Sequence, residues 1–112
     1  MENKKTFKIE GVFDKNSSTK NVLIVNGIRL RKNRRINGLT WGYIGSGSIS
    51  SSMAILYQCV PKYNRYTRQF EQLAQKFTEE KLRPLKQESN FVMDVDLHTW
   101  LRDNGYTGRL LN

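Results

Sequence analysis

Hydrophobic and polar residues change their spacing about a third of the way along the chain. Thr6-Phe7-Lys8-Ile9-Glu10-Gly11-Val12-Phe13 alternates, which predicts a strand with Phe7, Ile9 and Phe13 turned inward. The polar run Asp14-Lys15-Asn16-Ser17-Ser18 ends it. Two more short runs, Val22-Leu23-Ile24-Val25 and Ile28-Arg29-Leu30-Arg31, flank Asn26-Gly27. Asn-Gly suits the two positive-φ positions of a type I′ turn, so this stretch reads as a hairpin. In its second arm Ile28 and Leu30 point one way and Arg29 and Arg31 the other. Lys32 to Asn37 forms a basic polar turn, and Leu39-Thr40-Trp41 predicts a further short strand.

Beyond the glycine-rich stretch Gly42-Tyr43-Ile44-Gly45-Ser46-Gly47, the spacing becomes helical. Ser48 or Ser50 is placed to cap a helix that Pro61 ends, with Ile49, Met53, Leu56 and Val60 on one face. A second helix is expected from about Asn64 to Leu82, buried along Tyr66, Phe70, Leu73, Ala74 and Phe77. Phe91-Val92-Met93 suggests another short strand. Asp94 or Asp96 then caps a last helix with Leu97, Trp100 and Leu101 inward and Gly105 just past its end. The expected fold class is α+β: an N-terminal antiparallel hairpin or sheet over about residues 6–41, packed on two or three C-terminal helices. Residues 1–112 are expected to form one domain.

Charge changes this picture from a bland small domain to one with a preferred partner class. Nineteen Lys and Arg against ten Asp and Glu give the 112 residues a net +9. Residues 1–40 hold ten of the cations and three of the anions, so the first third carries most of the excess. Such a field favours polyanionic partners: nucleic acid, an anionic membrane or an acidic protein face. No apolar stretch is long enough to span a membrane, and Met1-Glu2-Asn3-Lys4-Lys5 leads into no apolar leader segment, so a soluble, cytoplasmic protein is expected. A lone cysteine, Cys59, allows no internal disulfide, and with the lone histidine, His98, it cannot make a Cys/His zinc site.

The candidate chemistry lies in three places. Arg29, Arg31, Lys32, Arg34 and Arg35 put five cations into seven residues. On a strand, alternate side chains lie about 6.6 Å apart, a spacing that can follow the phosphates of one nucleic-acid strand. The other use of such charge is to keep an edge strand from pairing with another chain. Lys62, Tyr63, Arg65 and Arg68 interleave cations with an aromatic ring, as in surfaces that stack bases and hold the backbone, with Arg65 and Arg68 expected to face outward together. Gly45, Ser46, Gly47 and Ser48 open a helix and form a possible anion-binding loop, although a sharp turn and a capping serine account for the same residues. That loop lacks the Gly-Lys-Ser/Thr of a P-loop and the Gly-x-Gly-x-x-Gly spacing. His98 has no catalytic partner at a recognisable spacing, the adjacent Glu79 and Glu80 diverge on a helix, and no Gly-x-Ser-x-Gly occurs. No enzyme activity, cofactor or metal is expected.

Thr40-Trp41-Gly42-Tyr43-Ile44-Gly45-Ser46-Gly47, followed by Ala54-Ile55-Leu56, resembles a small family of uncharacterised domains carried by bacteria, phages and plasmids. Tyr66, Phe70 and Trp100-Leu101 fall where that family's later helix and closing Trp-Leu would be. Ile44 departs from the family's glycine, and Ser48 or Ile49 stands where its proline would be. The resemblance spans roughly residues 20–102. It implies a mobile-element setting in a bacterial host cell and no reaction. Small basic proteins of that setting are similar in size and charge to anti-CRISPR inhibitors. The leading expectation is therefore a non-enzymatic inhibitor of an RNA-guided nuclease that binds the effector, its guide RNA or both. The alternatives are a free-standing RNA- or DNA-binding accessory protein and a phosphate or nucleotide module at the Gly-Ser loop.

Overall fold

A computed structural model describes residues 6–16, 21–31, 36 and 38–111. The architecture is α+β, with three helices and a four-stranded antiparallel sheet: β1 (Phe7–Val12), β2 (Val22–Val25), β3 (Ile28–Arg29), α1 (Ser46–Leu56), α2 (Arg68–Phe77), β4 (Phe91–Val95) and α3 (Leu97–Asp103). The strand order is β3-β2-β1-β4.

The hairpin forms as its turn chemistry predicts. Asn26 and Gly27 take φ of 51° and 80°, and the register pairs Val25 with Ile28 and Ile24 with Arg29. Asn26 also ties the turn to β1: its backbone N–H donates to the Lys8 carbonyl and its side-chain oxygen accepts from the Lys8 N–H, both at 2.9 Å. Phe7, Ile9, Leu23, Val25 and Val95 are buried on one face of the sheet. On the other face Lys8 pairs with Glu10 at 3.9 Å. The Leu39–Trp41 stretch, expected as a strand, is irregular. Both of its apolar side chains are buried, so hydrophobic burial holds it without a ladder.

The fourth strand comes from the other end of the chain. β4 lies against β1, with Phe7 opposite Val95, Ile9 opposite Met93 and Gly11 opposite Phe91. A Cβ on Gly11 would strike the Phe91 ring, so glycine there lets the ring lie flat over the strand. Phe91 then meets Trp41 edge-on at 4.9 Å.

α1 departs from the sequence reading at both ends. It begins at Ser46, with Gly45 as the N-cap and no side-chain cap, so neither Ser48 nor Ser50 caps it, and it ends at Leu56 before Pro61. It is also buried well beyond the expected stripe: Ser48, Ser50, Ser51 and Ser52 lie inside together with Met53, Ala54, Ile55 and Leu56. Small side chains let neighbouring elements approach closely. Ser52 bonds Thr78 at 2.6 Å, and Thr78 donates to the Ala74 carbonyl at 2.8 Å. That back-bond falls where α2 widens into a π-helical turn, Thr78–Leu82.

α2 starts later than expected. Lys62–Asn64 forms a 3-10 turn, and Thr67 caps α2 by accepting from the Phe70 N–H at 3.1 Å. Tyr66 therefore precedes the helix and is 53% exposed instead of lying in its buried stripe. Phe70, Leu73, Ala74 and Phe77 are buried as the spacing predicts. α3 matches its sequence reading most closely. Asp96 caps it by accepting from Thr99 N–H at 3.0 Å, and Leu97, Trp100 and Leu101 are buried. Past its end, Gly105 donates to Arg102 O and Tyr106 donates to Leu101 O, the paired bonds of a Schellman cap. Among the described residues no helix is long and apolar enough to cross a membrane.

Candidate nucleic-acid interface

The cationic candidates divide by what their side chains already hold. β3 is an edge strand. Arg29 and Arg31 are exposed on it and just after it, and among the described residues their guanidinium groups make no hydrogen bond and no ion pair. The Leu30 N–H donates to Leu23 O at 2.8 Å, so the ladder continues past β3 and sets Arg31 beside the start of β2. Lys32, Arg34 and Arg35, the rest of the predicted cluster, lie outside the described residues.

The second cluster does not act as a unit. Arg65 was expected to face outward with Arg68, but it is half-buried and turned back onto the end of α1. Its Nε donates to Val60 O and its Nη2 to Tyr57 O, each at 2.8 Å, and its guanidinium lies 4.5 Å over the Tyr57 ring. The last carbonyls of a helix and the segment just beyond it carry partial negative charge, and a planar guanidinium can satisfy two of them at once. Arg65 is thus a C-terminal cap and is spent on the fold. Lys62, Tyr63 and Arg68 are exposed, with Tyr63 67% exposed. No spacing rule separates Arg65 from Arg68, because what distinguishes them is the position of the α1 terminus.

The Gly-Ser loop is filled from within. The Tyr43 ring lies over Gly45, where a Cβ would come within 2.6 Å of the ring, and the Tyr43 hydroxyl bonds Thr40 Oγ1 at 2.7 Å. Ser51 donates to Thr40 O at 2.8 Å and ties the same segment to α1. Gly42 has φ +90° and packs against the Gln87 backbone, so both its conformation and its closeness require glycine. Its N–H donates to Leu82 O at 2.9 Å and its carbonyl accepts from the Gln87 amide at 3.1 Å. At the α1 N-terminus, Ser48 is fully buried and its Oγ has no hydrogen-bond partner among the described residues.

Beside this loop the structure assembles a cleft that spacing along the chain gave no means of finding. Its walls come from Phe13 after β1, Asn21 before β2, the Thr40-Trp41-Tyr43 segment and the Gln87-Glu88 turn. The only local signal was the pair of aromatic residues flanking Gly42.

A basic α+β module with a charged sheet edge and an aromatic cleft is the class that these features define. Within that class, the chain belongs to DUF6166, a family of unknown function whose pattern matches residues 14–103. No curated protein and no solved structure matches.

Proposed function

We propose that this protein is a non-enzymatic nucleic-acid-binding module that grips the phosphate backbone of a single strand through the β3 edge. The observation that carries this reading is the uncommitted state of Arg29 and Arg31: both are exposed, and neither is used by the fold among the described residues. They alternate along a paired backbone, which fixes their spacing, and Arg binds phosphate with a two-pronged geometry. The sequence continues into Lys32, Arg34 and Arg35, so the charge on offer grows in that direction. Lys62, Tyr63 and Arg68 could widen the footprint, whereas Arg65 is withdrawn from it by its bonds to α1. The narrower reading, inhibition of an RNA-guided nuclease through its guide RNA, uses the same contacts and draws on the mobile-element resemblance.

Filter binding to single-stranded RNA, duplex RNA and duplex DNA at low and physiological salt tests the proposal. The expected result is tightest binding to the single strand, with log K falling against log salt by roughly 0.7 per phosphate contacted. Absent binding to all three at physiological salt overturns it and assigns the charge to a protein or ribonucleoprotein surface.

A further inference from the structure

The cleft beside Gly42 lies at the end of the sheet where β1 stops and where β2 and β4 begin. Its volume is ≈ 150 Å³. Pockets for whole drug-sized ligands run from roughly 300 Å³ upward, whereas a cavity of about 150 Å³ accepts a ring the size of benzene. The space suits one six-membered ring.

The walls are aromatic and held in place. Trp41 Nε1 donates to Ser89 O at 2.8 Å, and the hydroxyl of Tyr43 is fixed by Thr40. Two polar residues, Asn21 and Glu88, complete the lining. Asn21 is 5% exposed; its oxygen accepts from the Asp14 N–H at 3.0 Å, while its Nδ2 donates to no group among the described residues. Glu88 has no ion pair or hydrogen bond among the described residues, and it sits at φ 55°, a left-handed conformation unfavourable for a residue with a side chain. Backbone outliers of this kind concentrate at ligand sites.

A six-membered ring that offers an amine to a carboxylate and a carbonyl to an amide N–H is cytosine. Its N4 amine donates to acidic side chains, whereas the ring carrying O4 at that position would face Glu88 with a second acceptor. The basic arm lies at the same end of the sheet, since the register that continues from Leu30 to Leu23 sets Arg31 next to the β2 start that Asn21 precedes. We infer that the cleft receives one unstacked cytosine of a single strand whose phosphates cross Arg29 and Arg31. This rests on the backbone-binding reading above.

The test compares a short oligocytidine with oligouridine, oligoadenosine and an abasic oligomer of the same length, on the full chain. Expected is about tenfold tighter binding of oligocytidine than of the abasic strand. Glu88→Leu and Asn21→Asp should abolish that difference, read within each variant as the ratio of oligocytidine to abasic affinity. Because Asn21→Asp can disturb folding, the Trp41 indole N–H resonance of the wild-type protein gives a second readout: it should shift on titration with oligocytidine and stay still with the abasic strand. Equal binding of oligocytidine and abasic strands overturns the cleft assignment while leaving the phosphate reading intact. Equal preference for oligoadenosine or oligouridine over the abasic strand overturns the choice of cytosine. Failure of every strand to bind overturns both readings.

Discussion

The sheet edge and the helical half hold the same kind of side chain in opposite states. In the helical half several polar side chains are engaged by the fold: Arg65 caps α1, Arg102 donates to Tyr106 O and Gly108 O, Trp100 Nε1 donates to Glu80, and Ser52 bonds Thr78. At the edge, Arg29 and Arg31 hold nothing among the described residues. Two arginines that contribute equally to the net charge therefore differ in availability. A basic protein's capacity to bind anions depends on how many of its cations the fold has left unused, and a charge count cannot report that.

The comparison is broken most directly by truncating one arginine from each side. Arg65→Ala removes the bonds to two carbonyls and the guanidinium over the Tyr57 ring, so it should lower stability by about 2 kcal/mol with unchanged affinity per folded molecule, as read by denaturant unfolding and filter binding. Arg65→Lys should recover less than half of that loss, because a single ammonium cannot reproduce the fork. Arg29→Ala combined with Arg31→Ala should do the reverse: affinity falls on the order of twentyfold at physiological salt, while the melting temperature stays within about 1 °C. A melting shift as large as that of Arg65→Ala would mean that the edge arginines are structural after all.

Smaller effects sharpen the contrast. Glu88→Gly relieves a left-handed backbone and should raise stability by about 1 kcal/mol, seen as an upward shift in melting temperature, while weakening oligocytidine binding. Ser48 in α1 is a buried hydroxyl with no partner among the described residues. Ser48→Ala should therefore be neutral or stabilising by less than about 1 kcal/mol in the same unfolding measurement. A loss of more than that would show that the hydroxyl is engaged.

Local chemistry determined what lies within a few residues of itself. Asn26-Gly27 specifies its hairpin because few other pairs tolerate two successive positive φ angles. α3 is legible because its cap, its buried triplet and its terminating Gly105 all lie inside one short segment. The apolar spacing of α2 likewise identifies Phe70, Leu73, Ala74 and Phe77, yet Tyr66 shares that period and lies outside the helix because Thr67 caps it one residue later. The cationic run from Arg29 to Arg35 is legible in the residue order, and strand alternation turns Arg29 and Arg31 to one face.

Tertiary structure decided whatever depends on partners distant along the chain. β4 joins a sheet built from the first thirty residues because Phe91 fits over Gly11, a pairing across eighty positions with no local trace. Leu39 and Trp41 are buried without becoming a strand, since hydrophobic burial does not require a ladder. Arg65 is withdrawn from the surface because the end of α1 supplies carbonyls at the reach of its guanidinium. The cleft exists because Gly42 allows the Gln87-Glu88 turn to close on Trp41 and Tyr43 while Phe13 and Asn21 complete the wall from the sheet. Composition and periodicity record the preferences of single residues and their near neighbours. Which charges remain free, and which apolar surfaces enclose a space, are properties of the packed arrangement.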